Sequence, residues 1–207
     1  MSTRPAPTRL PRGRHGLSRE EVVASQRNRM LQAMADAVAE QGYAKTSVAD
    51  VLERAGVSRE TFYEQFGSKQ DCFLDAFDAA GENLLGRVAR AASASGGTPV
   101  ERFDALLGAY LDTLASEPAY ARIFLVEAYA AGPEALRRRV KIQERFTEAL
   151  VGLLEATEPH ERLACELLVN ATASMVTTRL ALGEDASLPD LRAPVVDLVK
   201  RISPKVD

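Results

Sequence analysis

The stretch from Gly42 to Phe66, GYAKTSVADVLERAGVSRETFYEQF, decides how this chain folds. Ser47 is a helix N-cap and Asp50 lies three residues on, a spacing in which hydroxyl and carboxylate each serve the other's backbone N–H. Val48, Val51, Leu52 and Ala55 then recur at helical spacing and form one apolar face. Gly56 stands where a helix ends at positive φ, Val57 is the apolar residue past the turn, and Ser58 caps a second helix. That helix, Arg59 to Phe66, carries Phe62 and Phe66 four residues apart on its inner face and turns Arg59, Glu60, Tyr63 and Glu64 outward. Two readings fit: an ordinary helical hairpin, or an element that holds an exposed basic, aromatic helix at the angle needed to enter a DNA groove.

Working outward, Gly67 ends the second helix and Ser68-Lys69-Gln70-Asp71 opens another with a capping-box spacing. A helix N-terminus that carries a lysine offers free N–H groups and a cation together, which suits a phosphate; a solvated surface lysine is the alternative for Lys69. This helix runs on through Phe73, Leu74, Phe77, Leu84, Leu85 and Val88 to about Ala92 and links the two parts of the protein. Upstream, Ser18 with Glu21 caps a helix reaching about Gln41, whose apolar positions include Val22, Val23, Met30, Met34 and Val38. It packs behind the helix pair and completes a three-helix unit.

The charge is polarised. Of 207 residues, the first 70 hold 11 Lys+Arg against 8 Asp+Glu, a net of +3, and the rest hold 15 against 21, a net of −6. The first 30 residues alone carry 7 arginines against 2 acids. A basic head on an acidic body suits a DNA reader with a separate regulatory part. The Pro/Arg pattern of Ser2 to Gly16 predicts disorder, so Arg4, Arg9, Arg12 and Arg14 form either a solubilising tail or an arm that orders along a minor groove or over phosphates. No apolar run approaches the roughly 20 residues of a membrane span, and the arginine-rich start lacks a secretory signal's apolar core. The two cysteines, Cys72 and Cys165, sit in amphipathic helical patterns and read as reduced core thiols of a cytoplasmic, nucleoid-associated protein. They have no CxxC partner, and His15 and His160 lie in unrelated contexts, so neither a metal site nor a cofactor is expected.

The run TSVADVLERAGVSRETFYEQFGSKQDCF resembles the N-terminal helix-turn-helix of the tetracycline-repressor (TetR) family of bacterial regulators. The matching features are Thr46 before Ser47, the Ala55-Gly56-Val57-Ser58 turn, Thr61-Phe62-Tyr63, Phe66, and Ser68-Lys69, over about a third of the chain. At Gln65 the chain departs from the aromatic or histidine usual in the family, and no contact is carried over to that position. The resemblance implies an all-α dimer that binds a palindromic operator in double-stranded DNA and responds to a small-molecule effector. It implies DNA contacts from Ser47, Ser58, Arg59, Glu60, Thr61, Tyr63 and Lys69, with Arg12 and Arg14 added from the arm. Arg59 is the candidate for guanine and Thr61 for a thymine methyl or base edge, with Tyr63 and Lys69 on phosphates.

The expected organisation is a basic arm over 1–17, a helix-turn-helix domain over 18–67, a linking helix over 68–92, and a helical ligand-binding and dimerisation domain over 93–207. Ser93 to Gly97 reads as a linker. Pro99, Pro118, Pro133, Pro159 and Pro189 read as first-turn prolines opening helices near 98–116, 118–130, 133–156, 159–183 and 188–202. Thr98 with Glu101 and Ser187 with Asp190 repeat the capping spacing. Most large apolar residues here are core. In the family these helices surround a cavity, which makes Tyr110, Phe124, Tyr129, Phe146 and Thr172 the candidate ligand contacts. The last two helices carry small and apolar residues on more than one face, and the resemblance implies a four-helix dimer interface using Leu168, Ala171, Met175, Leu191, Val195 and Leu198. Asn170, inside this apolar stretch, either sets packing register or bonds locally.

An enzyme is not expected: there is no HExxH, GxSxG, GxGxxG or P-loop pattern and no Cys/His pairing. The leading expectation is a ligand-released repressor. The alternatives are a regulator with no small-molecule inducer, since a filled core and a cavity share one periodicity, and a helical protein-interaction adaptor. Salt sensitivity separates DNA binding from the adaptor.

Overall fold

Ser18 starts the first helix, α1 (Arg19–Gln41), with a complete capping box: its hydroxyl accepts from Glu21 N–H at 3.2 Å, and the Glu21 carboxylate accepts from Ser18 N–H at 2.7 Å. The computed structural model describes residues 18–202, so the expected basic arm with Arg4, Arg9, Arg12 and Arg14 lies outside the described residues. Eight further α-helices follow: α2 (Val48–Ala55), α3 (Arg59–Gln65), α4 (Lys69–Ser95), α5 (Pro99–Ser116), α6 (Pro118–Arg122), α7 (Pro133–Leu153), α8 (Pro159–Leu182) and α9 (Arg192–Ile202). The fold is all-α, with no strand among the described residues.

One core runs from Met30, Met34 and Val38 of α1 through Phe62, Phe73 and Phe77 to Leu111, Leu180 and Leu188 without a break. The linking helix α4 joins head to body because its apolar face serves both: Phe73 packs edge-on to Tyr43 in the head, centroids 4.8 Å apart, and Phe77 lies 5.1 Å from Phe124 in the body. Gly81 lets α7 approach α4, since a Cβ there would fall 2.4 Å from Cδ1 of Ile142.

Four expected boundaries differ, one being the helix expected to reach 156, which ends at Leu153. The helix expected to end at Ala92 continues to Ser95, with the Ser93 and Ser95 hydroxyls donating back to the carbonyls of Ala89 and Ala92 at 2.9 and 3.1 Å. Only Gly96 and Gly97, both at positive φ, break the chain there. The helix expected over 118–130 is short α6 followed by a π-helical turn, Ile123–Glu127. Ile123, Phe124 and Leu125 are all buried there. Arg139 also donates into this ladder, at 3.3 Å from Leu125 O. Finally, Pro189 opens no helix: it lies inside a 3₁₀ segment, Asp185–Leu191, and α9 starts at Arg192. Ser187 donates its hydroxyl to Glu184 O at 2.8 Å rather than capping Asp190.

Candidate nucleic-acid interface and effector cavity

The turn between α2 and α3 closes as its residues require. Gly56 takes the left-handed conformation at φ 62, and the N–H groups of Gly56 and Val57 both donate to Leu52 O, at 2.9 and 3.3 Å. Ser58 caps α3 through the Thr61 N–H at 3.1 Å. Phe62 and Phe66 are buried beneath. Arg59, Glu60, Tyr63 and Glu64 are exposed, and the Arg59 guanidinium lies over the Tyr63 ring at 5.6 Å. Thr61 is half-buried, with its hydroxyl 2.9 Å from that of Ser58, which leaves its methyl as the free group. Gln65, where the chain departs from the family pattern, has its Oε1 buried without a partner and does not join the exposed face.

Ser47 and Lys69 are placed differently from their expected roles. The Ser47 hydroxyl is held by Asp50, donating to Oδ2 at 2.8 Å and accepting from its N–H at 3.3 Å. The Ser47 backbone N–H, donating to Oδ2 at 2.7 Å, and then the Ser47 hydroxyl hold the Asp50 carboxyl below its usual pKa. Lys69 is not a free cation. Its ammonium donates to Tyr43 O at 3.0 Å and Thr46 O at 2.9 Å and lies 4.1 Å over the Tyr43 ring, which closes the loop between α1 and α2.

Residues that the sequence did not single out set the angle of the reading helix. From α1, Arg29 donates to Ala55 O at 2.6 Å and Arg27 to Gln65 O at 3.3 Å, so each places a cation at the carbonyl end of α2 or α3. Arg27 also pairs with Asp75 of α4 and covers the Phe66 ring at 4.6 Å. No local pattern marks these two arginines, since their partners lie 26 to 48 residues away.

The body holds a cavity, partly open to solvent, between α5, the π-helical turn, α7 and α8. Four of the five expected ligand contacts line it: Tyr110, Phe124, Phe146 and Thr172. Tyr129 does not. It is 60 % exposed and lies over the Arg139 guanidinium at 4.9 Å, because the π-helical turn rotates the residues beyond Glu127 away from the cavity. The walls are largely apolar, with the Tyr110 and Thr172 hydroxyls and the Gln143 amide as polar handles. Burial pushes the Tyr110 hydroxyl above its usual pKa, so it stays a donor.

The expected dimer residues divide. Ala171, Met175 and Leu198 are exposed, Met175 by 46 %. Leu168 lines the cavity, and Leu191 and Val195 are buried in the chain's own core, so these three face inward. The outward stripe of α8 instead carries Leu163, Leu167 (61 % exposed), Ala171, Met175 and Leu182 (68 %), at near fourfold spacing. Asn170 bonds both ways: it donates to Glu166 O at 2.9 Å and accepts from Gln143 of α7 at 3.3 Å.

Cavity and reading head meet through the π-helical turn. Phe124 and Leu125 line the cavity, and Glu127, at the end of the same turn, accepts from the Tyr43 N–H at 2.9 Å. Gln70 of α4 donates to Ala131 O at 3.2 Å, and Tyr120 donates to Gln32 of α1 at 2.8 Å. None of the described residues form a group able to hold a metal, and no helix among them is long and apolar enough to cross a membrane.

Comparisons with known proteins agree with this geometry. Residues 31–76, from α1 into α4, match the family of bacterial regulatory proteins of tetR type. The chain is 27 % identical over 201 residues to the HTH-type transcriptional regulator EthR of Mycolicibacterium smegmatis, covering 95 % of this chain and 77 % of that protein. It is 23 % identical over 128 residues to the transcriptional activator FasR of the same organism, over 62 % of this chain and 58 % of that one. The fold is shared with FadR of Bacillus subtilis, solved in complex with stearoyl-CoA, at TM-score 0.73 and 20 % identity, covering 83 % of this chain and 96 % of that one. The family match over the helix-turn-helix and the similarity along most of the chain support a transcriptional regulator of the tetR family.

Proposed function

We propose that this regulator is a homodimeric repressor that leaves a near-palindromic operator when a small, largely apolar ligand fills the cavity. The observation that carries the reading is the continuity of one turn: Phe124 and Leu125 face the cavity, and Glu127 holds the loop in front of α2 and α3. A ligand that displaces the first pair shifts the carboxylate that fixes that loop. The head over 18–67 reads DNA, the helix over 68–92 transmits the change, and the body over 93–207 binds ligand and partner. Arg59 takes a guanine edge, the Thr61 methyl meets a thymine methyl, and Tyr63 contacts a phosphate. Ser58 and Glu60 flank them. Ser47 and Lys69 hold the element, with their backbone ends toward the phosphates. The arm with Arg12 and Arg14 adds phosphate or minor-groove contacts.

The exposed stripe of α8, with Leu198 of α9, is the surface on which two copies meet, since an uncovered row of this size is rare on a monomer. The stearoyl-CoA in the FadR neighbour, through its long acyl chain, supports a ligand with a large apolar part. Ligand binding displaces the equilibrium toward a dimer whose two α3 helices are out of register with successive major grooves. The test is selection of random duplex DNA by the purified chain near physiological salt, followed by sequencing. The reading requires a palindrome with half-sites about 34–36 Å apart along the helix axis. Recovery of salt-sensitive background without any motif would refute it.

A further inference from the structure

Two hydroxyls in the cavity wall are buried and have no partner. Tyr110 and Thr172 are each 8 % exposed, and neither oxygen makes a hydrogen bond among the described residues. A helical threonine ordinarily returns its hydroxyl to the carbonyl four residues back, as Thr113, Thr177 and Thr178 do at 2.6, 2.7 and 3.1 Å. Thr172 shares α8 with the last two and does not. The unpartnered nitrogens and oxygens that are fully enclosed belong to other residues, Arg139 Nε among them. Tyr110 Oη and Thr172 Oγ1 therefore keep open surface, and both residues line the cavity. The Tyr110 ring is set there by Phe146, edge-on at 5.9 Å.

The same walls carry no charge: no lysine, arginine, histidine or carboxylate lines the cavity. Arg139 is 5 % exposed and its charge acts on Tyr110, yet it stands outside the lining. Its Nη1 donates to Leu125 O at 3.3 Å, its Nε is enclosed, and its guanidinium stacks on the Tyr129 ring at 4.9 Å, away from the cavity. The Gln143 amide is already engaged, donating to Asn170 at 3.3 Å. An ionised group entering these walls gives up its hydration and meets nothing stronger than a neutral hydroxyl. A neutral oxygen gives up far less and recovers it by accepting from Tyr110. Burial holds the Tyr110 proton in place, so that hydroxyl is a standing donor.

On the reading of the cavity as the effector site, we propose that the effector is an uncharged, largely apolar molecule with an acceptor oxygen, of the ketone or ester kind, and that the Tyr110 and Thr172 hydroxyls are the donors that recognise that oxygen. Phe103, Phe124 and Phe146 take the apolar remainder. Charged relatives of the same molecule, its free carboxylate above all, are rejected by the absence of any cation in the lining.

The test uses three probes of one shape, acetophenone, benzoate and ethylbenzene, by calorimetry on the full chain at pH 7.5. Benzoate replaces the methyl group of the ketone with an anionic oxygen, and ethylbenzene replaces its carbonyl with a methylene. Acetophenone binds roughly tenfold or more tightly than benzoate. Tyr110→Phe, which removes only the hydroxyl, weakens acetophenone by about threefold to tenfold and leaves ethylbenzene within about twofold of its wild-type affinity. Thr172→Val repeats the comparison for the second hydroxyl, and serves alone if the Tyr110 variant does not fold. Benzoate bound as tightly as acetophenone overturns the neutral class. Acetophenone affinity that is unchanged in both variants, or that falls in step with ethylbenzene, overturns the two donors and leaves the cavity as a ligand site. Binding of none of the three refutes the effector cavity itself, and this inference with it.

Discussion

Lys69→Met separates two roles for a lysine that the sequence places at a phosphate. Its ammonium donates to the carbonyls of Tyr43 and Thr46 at 3.0 and 2.9 Å and covers the Tyr43 ring at 4.1 Å. Hydrogen bonds from a charged donor contribute about 1.5–3 kcal/mol each when dry, and a cation over a ring adds about 0.5–1 kcal/mol at exposed sites. Lys69 is half-buried and both carbonyls gain some water once it is gone, so the sum is discounted to about 2 kcal/mol. In a chain of this size each kcal/mol moves Tm by about 2–4 °C, giving a fall of about 4–8 °C. The assay is differential scanning calorimetry at fixed protein concentration, paired with operator affinity across a salt series. A clamp that makes no phosphate contact predicts the fall in Tm with the salt slope unchanged. An unchanged Tm, with a log–log salt slope shallower by about 1.8 (one phosphate per protomer of the dimer), would show that Lys69 neutralises a phosphate instead and that the clamp reading is wrong.

Arg59→Ala relaxes discrimination at one base pair in each half-site by about 1–3 kcal/mol, read by competition among single-base operator variants; an equal loss on every sequence would place Arg59 on the backbone. Met175→Glu sets two carboxylates on the proposed shared stripe and converts dimer to monomer in sedimentation, and an unchanged sedimentation coefficient rules out that surface. Gly56→Ala forces a side chain into φ 62 and lowers stability by about 1–2 kcal/mol in denaturant titration. Burial pushes the Cys72 thiol up to about 12 from 9.0. Folding therefore keeps its proton on, a contribution present below pH 9 and lost as pH rises toward 12, and at pH 8 a maleimide labels Cys72 only in denaturant. Rapid labelling of the native chain would contradict that burial.

The reading head was legible residue by residue. The capping boxes at Ser18 and Ser47, the left-handed Gly56, and the inward Phe62 and Phe66 all formed as their spacing required. Each is an interaction within one or two helical turns, and the side chain that makes it is next to the backbone it serves. Charge was legible in kind but not in use. Lys69 reads as a phosphate ligand or a solvated lysine until Tyr43 and Thr46 are brought beneath it, and Arg27 and Arg29 count only toward the basic head until the ends of α2 and α3 arrive.

Further along the chain, periodicity placed nearly every helix, yet it could not choose between equivalent apolar faces. Leu168 and Met175 both look like interface residues in sequence, and only the position of α7 turns one to the cavity and leaves the other outside. The π-helical turn at Ile123–Glu127, the 3₁₀ segment around Pro189 and the unpaired guanidinium of Arg139 had no local signature. Short-range order is written where the interacting groups are neighbours along the chain. The cavity, the Glu127 contact 84 residues away and the buried charge arise from packing between segments whose meeting no spacing rule records.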